Sequence, residues 1–239
     1  MLSRAHKPGT HDMPEFINDA HRTIFADTKH IAGWQEPEDS EALFELGYKH
    51  GDVLLEVGTY AGRSAACMIA GARSAGRRPK YYGVDISAHA LQMTKETLTS
   101  RRLMSMCILF GGTLEQFVAR FPIQPTGVFI DGGHLYPDVA ADIAVLRRIL
   151  KPGTPVIFHD YPNPDTPGVK QAVDEAAGTG LITIEATPGC SAITTSTKLC
   201  EARSTSPSAA AFYIPKLMGE LREQSRAVTD RISKSLTRS

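Results

Sequence analysis

The sequence lacks a net charge. Lysine plus arginine and aspartate plus glutamate each total 26 among 239 residues, so the formal net charge is zero. A neutral chain has no general attraction for the phosphates of a nucleic acid or for an anionic membrane surface. We therefore expect neither a nucleic acid nor a membrane as partner.

Cysteine and long apolar runs are also scarce. The cysteines, Cys67, Cys107, Cys190 and Cys200, include no C-x-x-C pair, which argues against a disulfide framework and a structural zinc site. No window approaches the roughly 18 apolar residues of a membrane span, and the N-terminus lacks the apolar core of a signal peptide. We expect a soluble, cytoplasmic protein.

Short apolar runs alternate with amphipathic segments from residue 51 onward. The runs DVLLEVG, KYYGVDIS, SMCILFGG, TGVFIDGG and TPVIFHDY are typical of strands, and the segments between them have helical spacing. This alternation predicts βαβ units. Two further runs, LITIEA and SAITTST, are close enough to pair as an antiparallel hairpin. The predicted fold class is α/β: a Rossmann-like, seven-stranded, mostly parallel sheet with an antiparallel edge hairpin and helices on both faces.

We expect three segments along the chain. Residues 1–50 carry helical patterns and would form a cap or lid, and residues 51–200 would form the sheet domain. Residues 201–239 begin with the linker-like EARSTSPSAAA and end in an amphipathic pattern, which predicts a terminal helix. That helix would either pack on its own domain or form a subunit contact, so the terminal helices could join copies into a homo-oligomer.

Glycines and acidic residues follow the predicted strands, where open α/β sheets bind ligands. Gly58 and Gly62 in the first loop would let the backbone approach a ligand closely. Asp85 ends the second strand, where a carboxylate can accept hydrogen bonds from ribose hydroxyls. Together they indicate a cofactor that contains adenosine. Tyr60 stands where a dinucleotide fingerprint has glycine, and Glu56 disfavours a phosphate, so S-adenosylmethionine is favoured over NAD.

Four motifs, EVGTYAGRS, YYGVDIS, FIDGGHLYPDVAADI and KPGTPVIFHDY, resemble the class I S-adenosylmethionine-dependent methyltransferases. The branch they resemble comprises cephalosporin-hydroxylase-like and macrocin-type small-molecule O-methyltransferases, related to the catechol O-methyltransferases. The resemblance implies that residues 51–200 form a cofactor-binding methyltransferase domain. It implies that the methionine portion of the cofactor is surrounded by Glu56, Gly58, Tyr60, Gly62 and Ser64. It also implies that Asp85 binds the ribose and that Gly112 and Thr113 border the adenine, with Asp131 as a further cofactor contact.

Methyl transfer requires a group that orients the acceptor hydroxyl and a base that removes its proton. His134 lies three positions after Asp131, and this placement resembles that of the catalytic lysine in the catechol O-methyltransferases. Histidine titrates near neutrality, which suits a general base. Its alternative role is to cap the next helix or to hydrogen-bond the loop. Asp131 and Asp160 end neighbouring strands, so we expect their carboxylates to converge and to orient the acceptor.

Two converging carboxylates repel each other unless a cation lies nearby. Mg²⁺ prefers oxygen ligands and lowers the pKa of a bound hydroxyl, so a magnesium site on Asp131 and Asp160 is one expectation. His159 is the neighbouring candidate ligand, and Asp165 is a weaker one. The alternative is a metal-free site in which His134 and His159 act as acid and base.

The sequence thus predicts an S-adenosylmethionine-dependent O-methyltransferase that acts on a hydroxyl of a small molecule, a sugar or an aromatic diol. The alternative is a non-catalytic cofactor-binding or regulatory protein of the same fold that acts through its C-terminal helix. Trp34 is expected to pack among the N-terminal helices or, as a second option, to cover the ligand. Tyr136 and Tyr161 would either contact the acceptor or serve the structure.

Overall fold

A computed structural model describes residues 16–197 of the chain. Within this range the helices and strands, in chain order, are α1 (Asp19–Thr28), α2 (Pro37–His50), β1 (Val53–Val57), α3 (Arg63–Ser74), β2 (Lys80–Asp85), α4 (Ala88–Ser100), β3 (Cys107–Gly111), α5 (Leu114–Arg120), β4 (Gly127–Ile130), α6 (Tyr136–Ile149), β5 (Pro155–His159), α7 (Pro167–Gly178), β6 (Ile182–Ala186) and β7 (Ser191–Ser196). The predicted helix of residues 201–239 lies outside the described residues.

The seven strands form one sheet in the order β3-β2-β1-β4-β5-β7-β6. The strands β1 to β5 pair in parallel, whereas β7 runs antiparallel to both β5 and β6. The predicted fold class, including the antiparallel hairpin, is confirmed. Because β2 and β3 lie on one side of β1 and β4 on the other, the order of strands reverses between β1 and β4. Open α/β sheets bind ligands beyond the carboxyl ends of the strands at such a point.

Helices cover both faces of the sheet, so neighbouring residues of a strand are buried on opposite sides. In β1, Leu54 shares a buried cluster with Phe44 of α2 and Met68 of α3. Leu55 belongs to a second cluster, which contains Phe117 of α5 and parts of α6 and α7. Side chains alternate between the two faces of a strand, which explains why β1 is apolar at every position except Glu56.

Helix α6 follows the predicted pattern. Val139, Ile143 and Leu146, which the sequence places on one helical face, are buried against the sheet. Leu150 caps the carboxyl end and packs against the same cluster. Among residues 16–197, no helix combines the length and apolar character needed to cross a membrane.

The boundary expected at residue 50 stays a prediction. Helix α2, which precedes it, packs on α3 and contributes Leu43 and Phe44 to the buried cluster on one face of the sheet. The helix begins with a capping box, in which the Asp39 carboxylate accepts a hydrogen bond of 2.9 Å from the backbone N–H of Glu36.

Candidate active site

A cavity of about 710 Å³ opens at the carboxyl ends of the central strands. Its volume is within the usual range for small-molecule sites. Most of the predicted site residues line it, namely Gly58, Tyr60, Ser64, Asp85, Gly112, Thr113, Asp131, His134, His159 and Asp160. Glu56 and Gly62 are not among its lining residues.

The loop after β1 depends on two glycines with positive φ angles. Gly58 has φ +83°, and a Cβ at this position would lie 2.2 Å from the carbonyl oxygen of Asp131. The loop can therefore pass against the end of β4 only because Gly58 has no side chain. Gly62 has φ +77° and forms the N-cap of α3, where a Cβ would approach Thr94.

Asp85 holds this loop through its carboxylate. Oδ2 accepts hydrogen bonds from the backbone N–H groups of Thr59 (2.9 Å) and Tyr60 (3.3 Å). Oδ1 accepts one from the N–H of Ser87 at 2.8 Å. The Thr59 hydroxyl donates a longer bond of 3.5 Å to Oδ2, so Oδ1, which accepts a single bond, is the oxygen with a lone pair left for a ligand hydroxyl. Ile86, which the sequence reasoning did not select, follows it at the cavity wall with 82% of its surface exposed.

Gly112 and Thr113 also lie at the cavity wall. The N–H of Gly112 donates a hydrogen bond of 3.0 Å to the carbonyl of Asp85, which ties the end of β3 to that of β2. The Thr113 hydroxyl accepts a hydrogen bond from the N–H of Gln116 and caps α5. The Thr113 hydroxyl is therefore occupied in capping the helix, and only the rest of the residue could contact a ligand.

Glu56 lies beneath the loop and is completely buried. Its Oε1 accepts a hydrogen bond from the Ser64 hydroxyl, and its Oε2 accepts one of 2.5 Å from the Tyr81 hydroxyl. Burial raises the pKa of Glu56 to about 8, and nearby Asp131 and Asp85 add to this rise against the effect of the two hydrogen bonds. Glu56 thus supports the loop as a neutral acid at neutral pH.

Replacement of Glu56 by glutamine should remove a pH dependence of folding. Between the ordinary pKa of 4.5 and the raised value of about 8, the native state holds a proton that the unfolded state releases. The free energy of unfolding of the wild type should therefore fall by up to about 1.4 kcal/mol per pH unit across this range because of Glu56. Urea denaturation at pH 5, 6, 7 and 8 should show Glu56→Gln gaining on the wild type as the pH rises; parallel curves would contradict this.

Asp131, His134 and Asp160 meet at the acceptor side of the cavity. The His134 Nε2 atom lies 3.1 Å from Asp160 Oδ2 and 4.0 Å from Asp131 Oδ1. Asp160 has φ +58°, an unfavourable value for a residue with a side chain, and its Oδ1 accepts a hydrogen bond of 3.1 Å from the Asn163 amide. Such strain is common where a side chain is held for function.

His159 lies buried beneath these carboxylates. Its Nδ1 is 3.1 Å from Asp131 Oδ1 and 3.6 Å from Asp160 Oδ2, and its Nε2 is 3.7 Å from Asp39 Oδ2. Burial by itself lowers the pKa of His159, but Asp131, Asp160 and Asp39 together raise it well above its usual value. At neutral pH His159 is therefore an imidazolium, which supplies the positive charge that the converging carboxylates require. The contact with His159 lowers the pKa of Asp160, whereas burial raises the pKa of Asp131.

Asp39 is a functional candidate that the sequence reasoning missed. It is completely buried at the start of α2 and accepts hydrogen bonds from the Ser191 hydroxyl (2.7 Å) and the backbone N–H of Cys190 (3.1 Å). In the sequence it resembles any acidic residue in the first turn of a helix. Its role depends on a contact with the β6–β7 hairpin, which local pattern does not reveal.

The site can offer a cation three ligands. Oxygen or nitrogen atoms of Asp131, His134 and Asp160 all lie within 4.8 Å of one another. Two carboxylates and an imidazole are suitable donors for a divalent ion. This set contains His134, whereas the sequence analysis proposed His159 as the neighbouring ligand, and that choice stays a prediction.

The remaining candidates divide between the cavity and the supporting structure. Trp34 lines the cavity and is 73% exposed, so the expected packing among helices is wrong and the covering role is favoured. The hydroxyls of Tyr136 and Tyr161 donate hydrogen bonds of 2.6 Å to acidic residues of α7, which indicates structural roles. Asp165 is exposed and is not among the lining residues.

Comparison with known proteins supports this assignment of the fold. Residues 55–161 match a family described as a methyltransferase domain. No curated protein matches the sequence. Among solved structures, the O-methyltransferase of Bacillus cereus in complex with S-adenosylhomocysteine is similar, with 14% identity, a TM-score of 0.58, and coverage of 76% of this chain and 91% of that one.

Two further structures have the same architecture. The S-adenosylhomocysteine-bound methyltransferase PaMTH1 of Podospora anserina has 15% identity and a TM-score of 0.61, covering 77% of this chain and 90% of its own. CalS11, a TDP-rhamnose 3′-O-methyltransferase of calicheamicin biosynthesis, has 19% identity and a TM-score of 0.54, with 78% and 96% covered. At these identities the likeness concerns the fold.

Residues 55–161 match a methyltransferase domain and lie within a sheet that has the fold of these O-methyltransferases, which indicates an enzyme. The match runs from the middle of β1 to the residues just after β5. The matched region thus contains the glycine loop, Asp85, and the cluster of Asp131, His134 and Asp160.

Proposed function

We propose that the protein transfers the methyl group of S-adenosylmethionine to a hydroxyl oxygen of a small molecule, with His134 as the general base. The observation that carries this proposal is that one cavity contains both the glycine loop and the cluster of Asp131, His134 and Asp160. The fold is shared with O-methyltransferases, one of them described as acting on a nucleotide sugar. This likeness supports the choice of oxygen as the methylated atom.

The cofactor would lie along the ends of β1, β2 and β3. Gly58 and Tyr60 would border its methionine portion, while Asp85 would accept hydrogen bonds from the ribose. Gly112 and Thr113 would border the adenine together with Ile86, whose exposed side chain offers an apolar surface. Glu56 and Gly62 would support the loop without touching the cofactor.

His134 would act through one of its two ring nitrogens. If Nε2 carries the hydrogen and donates it to Asp160, the other nitrogen, Nδ1, has a free lone pair that can accept a proton. The acceptor O–H would lose its proton to that nitrogen as the new O–C bond forms. The S–C bond of the cofactor would break with its electrons on sulfur, which releases S-adenosylhomocysteine. Asp131 would orient the hydroxyl beside the methyl carbon.

A divalent ion would be held by the carboxylates of Asp131 and Asp160, and His134, the third member of this cluster, would stay free to act as the base. When bound, such an ion lowers the pKa of the acceptor hydroxyl and fixes its position. The buried His159 would keep the two aspartates close together whether or not the ion is present. We propose Mg²⁺ on the basis of the two carboxylates, and Mn²⁺ would suit the same oxygen ligands.

Calorimetry with S-adenosylmethionine and a turnover assay with catechols and glycosides test this proposal. We expect binding of the cofactor and a methylated product in mass spectrometry. Addition of EDTA should reduce turnover, and Mg²⁺ or Mn²⁺ should restore it; turnover unaffected by EDTA would overturn the metal role alone. Binding of the cofactor without any product would favour the alternative of a regulatory binding protein. The cytoplasmic location and the homo-oligomer stay predictions.

A further inference from the structure

Asp39 is buried more completely than a helix cap requires. Its carboxylate accepts a hydrogen bond from the backbone N–H of Glu36 and so closes the first turn of α2, a role that acidic residues usually fill at the surface. None of the Asp39 side chain is exposed. Taking a carboxylate out of water is costly unless hydrogen bonds and an opposite charge compensate it. The groups that compensate Asp39 therefore indicate what this residue holds in place.

The β6–β7 turn satisfies one oxygen of the Asp39 carboxylate. Oδ1 accepts hydrogen bonds from the Ser191 hydroxyl (2.7 Å) and from the backbone N–H of Cys190 (3.1 Å). Gly189 in the same turn has φ +50°, and a Cβ there would lie 2.9 Å from Oδ1. The turn can approach the carboxylate this closely because position 189 has no side chain. These contacts fix the carboxylate in one orientation and leave Oδ2 for Glu36 and the interior.

His159 provides the positive charge that faces Asp39. Its Nε2 lies 3.7 Å from Asp39 Oδ2, and among the ion pairs of residues 16–197 it is the sole cationic partner of Asp39. On the other side of the ring, Nδ1 lies 3.1 Å from Asp131 Oδ1. Both ring nitrogens are buried, and neither forms a hydrogen bond of good geometry. The attraction of the carboxylates on its two sides therefore determines where the ring lies.

The His159 ring in turn holds two carboxylates of the cavity. Besides its contact with Asp131, Nδ1 lies 3.6 Å from Asp160 Oδ2. The two aspartates repel each other, and this shared positive charge keeps them together. A ring that moved would allow their carboxylates to separate. The position of the ring thus sets the arrangement of the groups that, in the proposed function, face the acceptor hydroxyl.

We propose that Asp39 is a positioning residue of the active site, which holds the His159 ring so that Asp131 and Asp160 keep their arrangement beside the acceptor. This inference rests on the proposed function and adds a residue that does not line the cavity. Residues that orient catalytic groups from behind are an ordinary part of enzyme sites. The start of α2 and the β6–β7 turn then form the support of the acceptor side of the cavity.

Asp39→Asn tests this role with little change of shape. The amide has the size of the carboxylate, but it carries no charge and has a donor in place of one acceptor oxygen. We expect kcat with the best acceptor to fall about 10- to 100-fold, the usual effect of losing a residue that orients a catalytic group. The Kd for S-adenosylhomocysteine, measured by calorimetry, should stay close to the wild-type value because the proposed cofactor contacts lie at the ends of other strands.

A double-mutant cycle shows whether Asp39 acts through His159. His159→Gln removes the imidazole and should lower kcat at least as far as Asp39→Asn does. The double variant should have the kcat of His159→Gln alone, because Asp39 then has no ring to hold. Losses that multiply in the double variant would mean that Asp39 acts independently of His159, which would overturn the proposal. Urea denaturation of the same four proteins should show the same non-additivity without any substrate.

Thr194→Val is the matched control for a general loss of stability. Thr194 is completely buried in β7, and its hydroxyl donates a hydrogen bond of 2.9 Å to the carbonyl of Val156 in β5. Valine has a similar shape, so the variant loses a buried hydrogen bond far from the Asp39 carboxylate and should be less stable with an unchanged kcat. If Asp39→Asn does not fold, Asp39→Ser, which leaves room for a water beside His159, replaces it.

Two further results would overturn the proposal. A normal kcat in Asp39→Asn would restrict Asp39 to capping α2 and anchoring the β6–β7 turn. An equal fall of kcat in Thr194→Val would assign the effect to a general loosening of the fold. The proposed function itself is tested first, because a wild type that methylates no acceptor refutes both ideas. An active wild type with an equally active Asp39→Asn refutes this inference alone.

Discussion

Replacement of His134 by glutamine is expected to lower kcat by about 10²- to 10⁴-fold, the usual contribution of a general base. Glutamine is of similar size and keeps a donor for Asp160, but it cannot accept a proton from the acceptor hydroxyl. The imidazole is half-exposed at the cavity and makes its closest charged contact with Asp160, 3.1 Å away. Folding and cofactor binding should therefore change little.

Single-turnover measurements with the best acceptor, followed by mass spectrometry, give the rate of the chemical step. Calorimetry with S-adenosylhomocysteine on the same variant should give a Kd within about twofold of the wild type. His30→Gln makes the same change on the exposed surface, outside the cavity, and should retain full activity. A His134→Gln enzyme with normal kcat would exclude His134 as the base. Loss of rate and of binding together would point to the alternative role of ordering the loop.

Replacement of Gly58 by alanine is expected to destabilise the fold by about 2 to 4 kcal/mol and to abolish cofactor binding. About 1 kcal/mol comes from the positive φ, and the rest comes from forcing the β1 loop away from β4. The added Cβ would lie 2.2 Å from the Asp131 carbonyl oxygen, which belongs to rigid backbone. Relief of this contact displaces both the loop and Asp131, whose carboxylate we propose to orient the acceptor.

Gly76→Ala is a control that measures the cost of the positive φ angle alone. Gly76 has φ +73°, close to that of Gly58, but a Cβ there would meet nothing within 4 Å. Urea denaturation should show a loss of about 1 kcal/mol for Gly76→Ala, with normal affinity for S-adenosylhomocysteine. Equal losses of stability in the two variants would show that the close approach to Asp131 contributes nothing.

Much of the fold follows from local pattern. The strands appear in the sequence as apolar runs because helices cover both faces of this sheet. Helix α6 appears as a spaced apolar pattern because only one of its sides packs on the sheet. The hairpin was predictable from the short separation of its strands. The insertion of β7 between β5 and β6 was not, because it depends on how the hairpin meets the rest of the sheet.

The site was predictable where it depends on the ends of strands. Asp85 ends β2, and Asp131 and Asp160 directly follow β4 and β5, so the parallel topology brings all three to one edge of the sheet. The roles of His159 and Asp39 depend on a contact between positions 120 residues apart, and no local spacing indicates it. The burial of Glu56 beneath the loop, and the three carboxylates that raise the pKa of His159, likewise become visible only when the helices pack.

The position of β7 has a consequence for the order of events as the chain leaves the ribosome. β6 pairs with β7 alone, and β7 is the strand that joins it to β5. The sheet therefore cannot close beyond β5 until residues near 196 have emerged, although the whole matched methyltransferase region ends at residue 161. Asp39, synthesised early, receives its partners Cys190 and Ser191 only then. A nascent chain stalled shortly after β5 should hold its methyltransferase region without a finished active site.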